Sequence, residues 1–338
     1  MDDLPSDRKR PGLGAPQLER LWARVAGGTE PRAPSAAEWQ AERLVIDGLG
    51  LGLQDALRFL HGGAPDLADF ERWVLARNGG AIPPERIAVV NASVERALRG
   101  EAALEFEPGP GQSPLLDAAD LRFWGDHGYV VVKGAVDRDG CRAAEAAIWD
   151  FLGMDPEAPE GWRDDSRCEG VMITLSRHPA FDANRDAPRI RAAFAQLLGS
   201  DDLQVTVDRG GFNPPERSGV RFRGAGLHWD TSLHPPIPLQ LQGLVYLTDT
   251  PAEQGAFRCV PGFHRRIEGW LAGLPPAADP RAQDLSAEEV RVAGEAGDLV
   301  IWHAALPHGA SPNRGARPRL VQYVSYYRPG FVDERPWL

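Results

Sequence analysis

The sequence is short of several things. Its 338 residues include only three cysteines, Cys141, Cys168 and Cys259, with no C-x-x-C spacing among them. That excludes a disulfide framework and a zinc knuckle and leaves reduced, mostly buried thiols. No run approaches the roughly 18 uninterrupted apolar residues of a membrane span. The opening MDDLPSDRKRPG also lacks the apolar centre of a secretory signal. A cytoplasmic protein with no membrane partner is therefore expected. Positive charge is in deficit: 37 Lys and Arg stand against 48 Asp and Glu, a net charge of -11, and the pI is near 5.3. Such a balance argues against nucleic-acid or anionic-membrane binding and for a small-molecule substrate. The ten tryptophans are dispersed, so no stacking platform for bases is evident.

What is present suffices for a sizeable core, with 43% apolar residues. Residues 1–34 are rich in Pro, Gly, Arg and acidic side chains, which predicts a disordered or weakly ordered tail with at most a short helix over Gln17–Val25. From Ser35 onward apolar positions recur at helical spacing through Leu53–Leu60, Phe70–Leu75 and Ile87–Leu98, so residues 35–107 read as a helical segment. The cluster Pro108-Gly-Pro-Gly-Gln-Ser-Pro114 is too dense in Gly and Pro for regular structure and makes 108–118 a linker.

Residues 119–338 then form one domain. Helices are expected over Asp120–His127, Asp139–Leu152 and Ala187–Leu198, and a strand over Tyr129–Lys133. Beyond Asp201 short strands alternate with Gly/Pro turns, at Gln204–Asp208, Leu239–Thr248, Ala256–Val260, Asp298–Trp302 and Arg319–Arg328. That series suits a jelly roll better than a parallel sheet. The expected class is mainly β with flanking helices (α+β): a cupin-like double-stranded β-helix preceded by the helical segment.

One triplet in the β-rich region carries chemistry. Among the eight histidines only His228, in His228-Trp229-Asp230, has an acidic residue two positions on. Positions i and i+2 of a strand share a face, so His228 and Asp230 can reach one ion while Trp229 points away. The triplet alone is worth little, because about one such match is expected by chance in a chain of this composition. Two imidazoles and one carboxylate are the protein ligands of a facial triad, which leaves positions on a ferrous ion open for a co-substrate and dioxygen. The second imidazole could come from His234, His264, His303 or His308. His234 precedes Pro-Pro, His264 follows Pro-Gly in a turn, and His303 ends a strand.

His308 is set apart by the run that it opens, His308-Gly-Ala-Ser-Pro-Asn-Arg-Gly-Ala-Arg-Pro-Arg319. Together with His228-x-Asp230, Glu253-Gln-Gly-Ala-Phe-Arg-Cys-Val-Pro-Gly-Phe-His264 and Gly297-Asp-Leu-Val-Ile-Trp-His303, this run resembles the phytanoyl-CoA dioxygenase family of Fe(II)/2-oxoglutarate oxygenases, over about residues 120–328. The resemblance implies a double-stranded β-helix in which His228, Asp230 and His308 bind Fe(II) and carry catalysis, with 2-oxoglutarate and O2 as co-substrates. Arg319 would pair with the far carboxylate of 2-oxoglutarate, a task suited to the planar, permanently charged guanidinium. Arg314 and Arg317 are nearby rivals. Many members carry a hydroxyl two residues past the distal histidine, where this chain has Ala310. The hydroxyl is then expected from Ser311, Thr248 or Tyr246.

Alternation along Leu239–Thr248 separates an aliphatic face (Leu239, Leu241, Gly243, Val245, Leu247), expected to pack outward on helices, from a face of Gln240, Gln242, Leu244, Tyr246 and Thr248 aimed into the barrel. Gln242 and Tyr246 thereby become candidate co-substrate or substrate contacts, and Arg319 pointing inward should bring Val321 and Tyr323 with it. The loop Arg209–Arg223 carries four arginines just before the triplet. Asn213, Arg221 and Arg223 are its candidate substrate contacts.

The function expected is hydroxylation of an unactivated C–H bond in a small metabolite or natural-product intermediate, with release of succinate and CO2. Desaturation, epoxidation or cyclisation would use the same ligands. Halogenation is disfavoured because related halogenases replace the carboxylate that Asp230 retains. A reading of another class is a non-catalytic jelly-roll protein that binds metal or ligand as a sensor. The helical segment 35–107 lies outside the resemblance and is a candidate homodimer contact.

Overall fold

The computed structural model describes residues 12–27, 33–100, 114–162, 166–217 and 221–338. Parts of the expected tail (1–11 and 28–32) and linker (108–113) lie outside the described residues. The chain divides into two compact units, Met1–Ala102 with Pro329–Val332, and Ala103–Arg328 with Asp333–Leu338.

The first unit is helical: α1 Pro16–Val25, α2 Ala36–Gly48, α3 Leu53–His61, α4 Leu67–Arg77 and α5 Pro84–Leu98. Its boundaries follow local chemistry. Ser35 and Glu38 form a reciprocal capping box at α2, Asp66 caps α4, and prolines open α1 and α5. Leu18 and Leu21 of α1 are fully enclosed with Val45, Ile46, Leu60, Phe70 and Val74. Helix α1 covers the stretch where a short helix was expected, Gln17–Val25, and it is packed because two leucines three positions apart share its buried face.

The second unit begins with α6 Ala118–His127, β1 Tyr129–Val132, α7 Arg138–Leu152, β2 Cys168–Glu169, β3 Met172–Ile173, α8 Pro179–Arg185, α9 Pro188–Leu198, β4 Gln204–Val205 and β5 Gly210–Asn213. It continues with β6 Leu241–Tyr246, β7 Phe257–Cys259, α10 Ile267–Gly273, β8 Val290–Val292, β9 Leu299–His303, β10 His308–Ala310, β11 Arg319–Tyr323 and β12 Tyr326–Tyr327. The large sheet runs β1-β9-β6-β11-β5-β3-β2, and a small sheet runs β10-β7-β8. All pairings in both are antiparallel.

Strands β6, β9 and β11 of the large sheet are buried on two sides. Leu241, Val245, Leu299, Ile301 and Leu320 pack with Cys141 and Ile148 of α7, Phe181 of α8 and Phe194 of α9. The alternate residues Leu244, Tyr246, Val300, Trp302 and Val321 join Phe257, Cys259 and Val292 of the small sheet in a second cluster. This is a double-stranded β-helix with helices over one outer face. The alternation expected for Leu239–Thr248 is the observed one, and Val321 and Tyr323 face inward together. Enclosing an aliphatic side chain such as Val245 or Ile301 contributes about 1.5–3 kcal/mol.

Strand β5 departs from the expected loop at Arg209–Arg223. A Cβ on Gly210 would meet the Phe181 ring at 2.9 Å, and one on Gly211 would meet Val321 at 2.7 Å. The glycines that read as a turn are there because neighbouring side chains fill their faces. The expected strand at Arg319–Arg328 is broken into β11 and β12, and that at Gln204–Asp208 is only the short β4.

Candidate metal centre

The centre is built on main chain first. His228 and His308 form an antiparallel bridge in which each N–H donates to the other's carbonyl at 3.0 Å. His308 is also on β10, opposite Cys259 of β7. Trp229 points the other way: it is buried, donates Nε1 to the Ala305 carbonyl at 3.0 Å and packs on Phe263 and Trp270. His228 and Asp230 are thereby left on one face.

The ligating atoms of His228, Asp230 and His308 lie within 4.8 Å of one another. His308 Nε2 is 3.3 Å from one Asp230 oxygen, and His228 Nε2 is 3.7 Å from the other. Each histidine places Nδ1 against a main-chain carbonyl, Gly226 at 2.9 Å and Leu306 at 3.0 Å. Donation from Nδ1 leaves both Nε2 lone pairs free for a metal, the arrangement usual for ligating imidazoles. The donor set fits a divalent transition metal.

Asp230 is held from behind. Gln242 donates Nε2 to its Oδ2 at 2.8 Å and accepts from Trp302 Nε1 at 3.0 Å, so the tryptophan fixes which way the amide faces. Gln242, a candidate co-substrate or substrate contact from the sequence, has its amide engaged with the carboxylate and the indole. Burial pushes the Asp230 carboxyl up, but the hydrogen bond and charge of His308, the Gln242 amide and His228 outweigh it and hold it well below the ordinary value. Burial, then the neighbouring His308 charge, lowers His228. The lowering of His228 favours the neutral form that binds metal.

Arg319 lies inside the barrel, 1% exposed, with Nη2 donating to the Tyr323 hydroxyl at 3.3 Å and Nε buried without a partner. The β6–β11 register, Val321 opposite Tyr246, continues to set Thr248 opposite Arg319. Thr248 Oγ1 is likewise buried without a partner. The other two candidate hydroxyls are occupied. Tyr246 donates to the Val292 carbonyl at 2.6 Å and accepts from Phe257 N–H at 2.9 Å, and Ser311 donates to the Ala256 carbonyl at 3.0 Å. Arg314 and Arg317 are exposed, Arg317 beside Glu157.

A family model for phytanoyl-CoA dioxygenase (PhyH) matches residues 124–321, more than half of the chain. The chain belongs to the phytanoyl-CoA dioxygenase family. It is an enzyme of the Fe(II)/2-oxoglutarate oxygenases, and its centre fits those cofactors. Among relatives of this chain, the 1-deoxypentalenic acid 11-beta-hydroxylase of Streptomyces arenae is 24% identical over 255 residues, covering 67% of this chain and 88% of the relative. Among solved structures, AviO1 from Streptomyces viridochromogenes Tue57 is similar at a TM-score of 0.49 and 20% identity, covering 67% and 100%. HygX from Streptomyces hygroscopicus, solved with nickel and 2-oxoglutarate bound, is similar at 0.44 and 17%, covering 62% and 87%. No helix among the described residues of this dioxygenase is long and apolar enough to cross a membrane.

The motifs that carry the family resemblance have local causes. Asn313 is fully buried and donates Nδ2 to the carbonyls of Asn213 and Arg317, both at 2.8 Å, so it ties the turn before Arg319 to β5. Asn213 in turn donates to the Ser311 carbonyl at 3.0 Å. Gly297 has φ +98°, and a Cβ there would collide with the Val136 carbonyl. Asp298 receives Lys133 Nζ at 2.7 Å and Gly134 N–H at 3.2 Å. Arg221 and Arg223 are exposed and line a cleft with Asn213 and Cys168. They are not brought to the triad's hydrogen-bond network.

The rival histidines are placed elsewhere. His234 lies with Nδ1 against the Pro235 carbonyl at 3.0 Å. His264 and His303 stack at 5.5 Å, and His303 Nδ1 accepts from Ala305 N–H at 2.9 Å. Burial, then the His264 charge, pushes His303 down to about 4. Above about pH 6.5 both folded and unfolded chains hold it neutral. As pH falls from there toward 4 the unfolded chain takes up the proton first, and folding weakens. Its share amounts to about 2 kcal/mol lost between pH 7 and pH 5. Denaturant unfolding at both pH values should show a smaller difference for His303→Gln than for the parent; an equal difference would refute the assignment.

Proposed function

We propose that this chain hydroxylates an unactivated C–H bond of a small metabolite or natural-product intermediate, with Fe(II), 2-oxoglutarate and O2, releasing succinate and CO2. The observation that carries this reading is the combination of a His-Asp-His cluster with two buried, unpartnered polar atoms, Arg319 Nε on β11 and Thr248 Oγ1 two residues past the end of the neighbouring β6. An enclosed guanidinium with no carboxylate partner is costly unless an anion joins it.

In this reading His228 and His308 hold iron through Nε2 and Asp230 holds it through a carboxylate oxygen. Bound iron supplies the activation of O2 at the expense of 2-oxoglutarate. Arg319 makes the two-pronged contact to the far carboxylate and Thr248 adds the hydroxyl, while Tyr246, Ser311 and Asn213 hold the surrounding main chain. Retention of Asp230 leaves no place for a halide ligand. The hydroxylase relative from Streptomyces arenae supports the hydroxyl outcome and the natural-product substrate class.

The test is a screen of such intermediates for substrate-stimulated succinate formation under O2, with mass analysis of each product. A product that gains one oxygen atom is expected. Stimulated succinate with a product that has only lost two hydrogens would replace hydroxylation by desaturation. Failure to bind Fe(II) and 2-oxoglutarate would sink the oxygenase reading for this chain.

The Gln242–Trp302 relay yields a second test. Partners behind metal ligands are typically worth about 10- to 100-fold in metal affinity or activity. Gln242→Leu should raise the Fe(II) dissociation constant by a factor in that range. Trp302→Phe should do so less, since it frees the amide to turn without removing it. Unchanged Fe(II) affinity in Gln242→Leu would show that Asp230 needs no such support.

A further inference from the structure

Two arginines remote in sequence close on the main chain that carries Asp230. Arg281, in the 3-10 turn Pro280–Ala282, donates Nη1 to the Trp229 carbonyl at 2.8 Å and Nη2 to the Thr231 carbonyl at 2.7 Å. These are the carbonyls on either side of Asp230. Arg335 donates Nη1 to the carbonyls of Ser232 at 2.9 Å and His234 at 2.7 Å, and Nη2 to Thr231 Oγ1 at 3.1 Å.

Both guanidinium groups are themselves held. The Trp337 ring lies over Arg281 at 4.7 Å. Asp333 pairs with Arg335 at 2.6 Å and also receives Gln240 Nε2 at 3.2 Å. Ser232 Oγ donates to the Pro336 carbonyl at 2.6 Å. Thr231 and Ser232 are 3% and 4% exposed, yet residues 229–240 contain no strand. Enclosed carbonyls need donors, and here the donors are charged side chains.

We propose that Arg281 and Arg335 are positioning residues for the metal centre: backed by residues 333–338, they fix the main chain around Asp230 and so aim its carboxylate at His228 and His308. The proposal rests on the reading of those three residues as iron ligands, whereas the clamp is argued from its own hydrogen bonds. Gln242 sets the head of the carboxylate and Arg281 sets its root. A guanidinium fork spans two carbonyls where an ammonium, a point charge, satisfies one, so lysine at 281 should restore only part of the effect.

The experiment compares full-length parent, Arg281→Ala, Arg281→Lys, Arg335→Ala and Trp337→Ala by hydrogen exchange of amides 228–234 without metal, and by anaerobic Fe(II) titration. Arg281→Ala and Arg335→Ala should exchange faster across that segment and lose about 10- to 100-fold in Fe(II) affinity. Arg281→Lys should fall between, and Trp337→Ala should shift both readouts in the same sense. A merely structural role would lower the global unfolding midpoint and leave the Fe(II) affinity of the folded protein unchanged. Exchange and Fe(II) affinity within about twofold of the parent in both alanine variants would overturn the clamp. Should either fail to fold, Arg281→Lys and Trp337→Ala decide by the same criterion. If the parent binds no Fe(II), the iron reading fails, and the exchange data still decide the clamp.

Discussion

Replacing His308 with alanine is expected to abolish Fe(II) binding and with it all 2-oxoglutarate turnover. The loss should exceed the roughly 10- to 100-fold that outer partners of a metal site cost, because a donor itself is removed. The fold should survive. His308 exchanges two backbone hydrogen bonds with His228 and lies opposite Cys259 of β7, and neither feature depends on the imidazole. Anaerobic addition of Fe(II) and 2-oxoglutarate should give a weak visible charge-transfer band in the parent and none in His308→Ala, at equal far-ultraviolet circular dichroism. Retention of the band in the variant would mean that the metal sits elsewhere.

Arg319→Leu should separate co-substrate binding from folding. Losing one member of a buried charged pair costs roughly 2–5 kcal/mol, which corresponds to about 30- to 5,000-fold in 2-oxoglutarate affinity. In the free protein the change has the opposite character. Arg319 is enclosed, with Nε unpartnered and no carboxylate against it, so leucine removes a desolvated charge. Free Arg319→Leu should therefore unfold at the same temperature as the parent or higher. Saturating 2-oxoglutarate with Fe(II) should raise the parent's midpoint and leave the variant's unchanged. If the variant is still stabilised by 2-oxoglutarate, the anion is held by other groups. Thr248→Val should weaken 2-oxoglutarate in the same direction by less, whereas Ser311→Ala, whose hydroxyl already serves the Ala256 carbonyl, should weaken it only through main-chain disorder.

Much of this centre was legible because strand periodicity is rigid. Arg319 had to turn inward with Val321 and Tyr323 on β11, whereas His228 and Asp230 share a face although only His228 makes a bridge and no strand runs through the pair. The two-sided burial of Leu241–Tyr246 could be read for the same reason. What was not legible depends on partners supplied by the fold. Gln242 looks the same in sequence whether its amide meets a co-substrate or Asp230; the choice is made by Trp302, brought opposite it by the β6–β9 register. Three hydroxyls competed for one role, and only the fold reveals that Tyr246 and Ser311 are already engaged. Strand β5 was hidden because Gly210-Gly211 carries no side-chain pattern. Arg281 and Arg335 sit in polar stretches that read as solvated, so nothing local distinguishes a clamp from a surface charge.

The reciprocal backbone bonds between His228 and His308 have a bearing on how such a centre can change over evolutionary time. Two of its three donors stand opposite one another by virtue of a main-chain bridge, which is indifferent to the side chains written on it. Substitution at either position edits the chemistry without redrawing the scaffold. The site is in that sense a socket whose walls are main chain and whose contents are side chains.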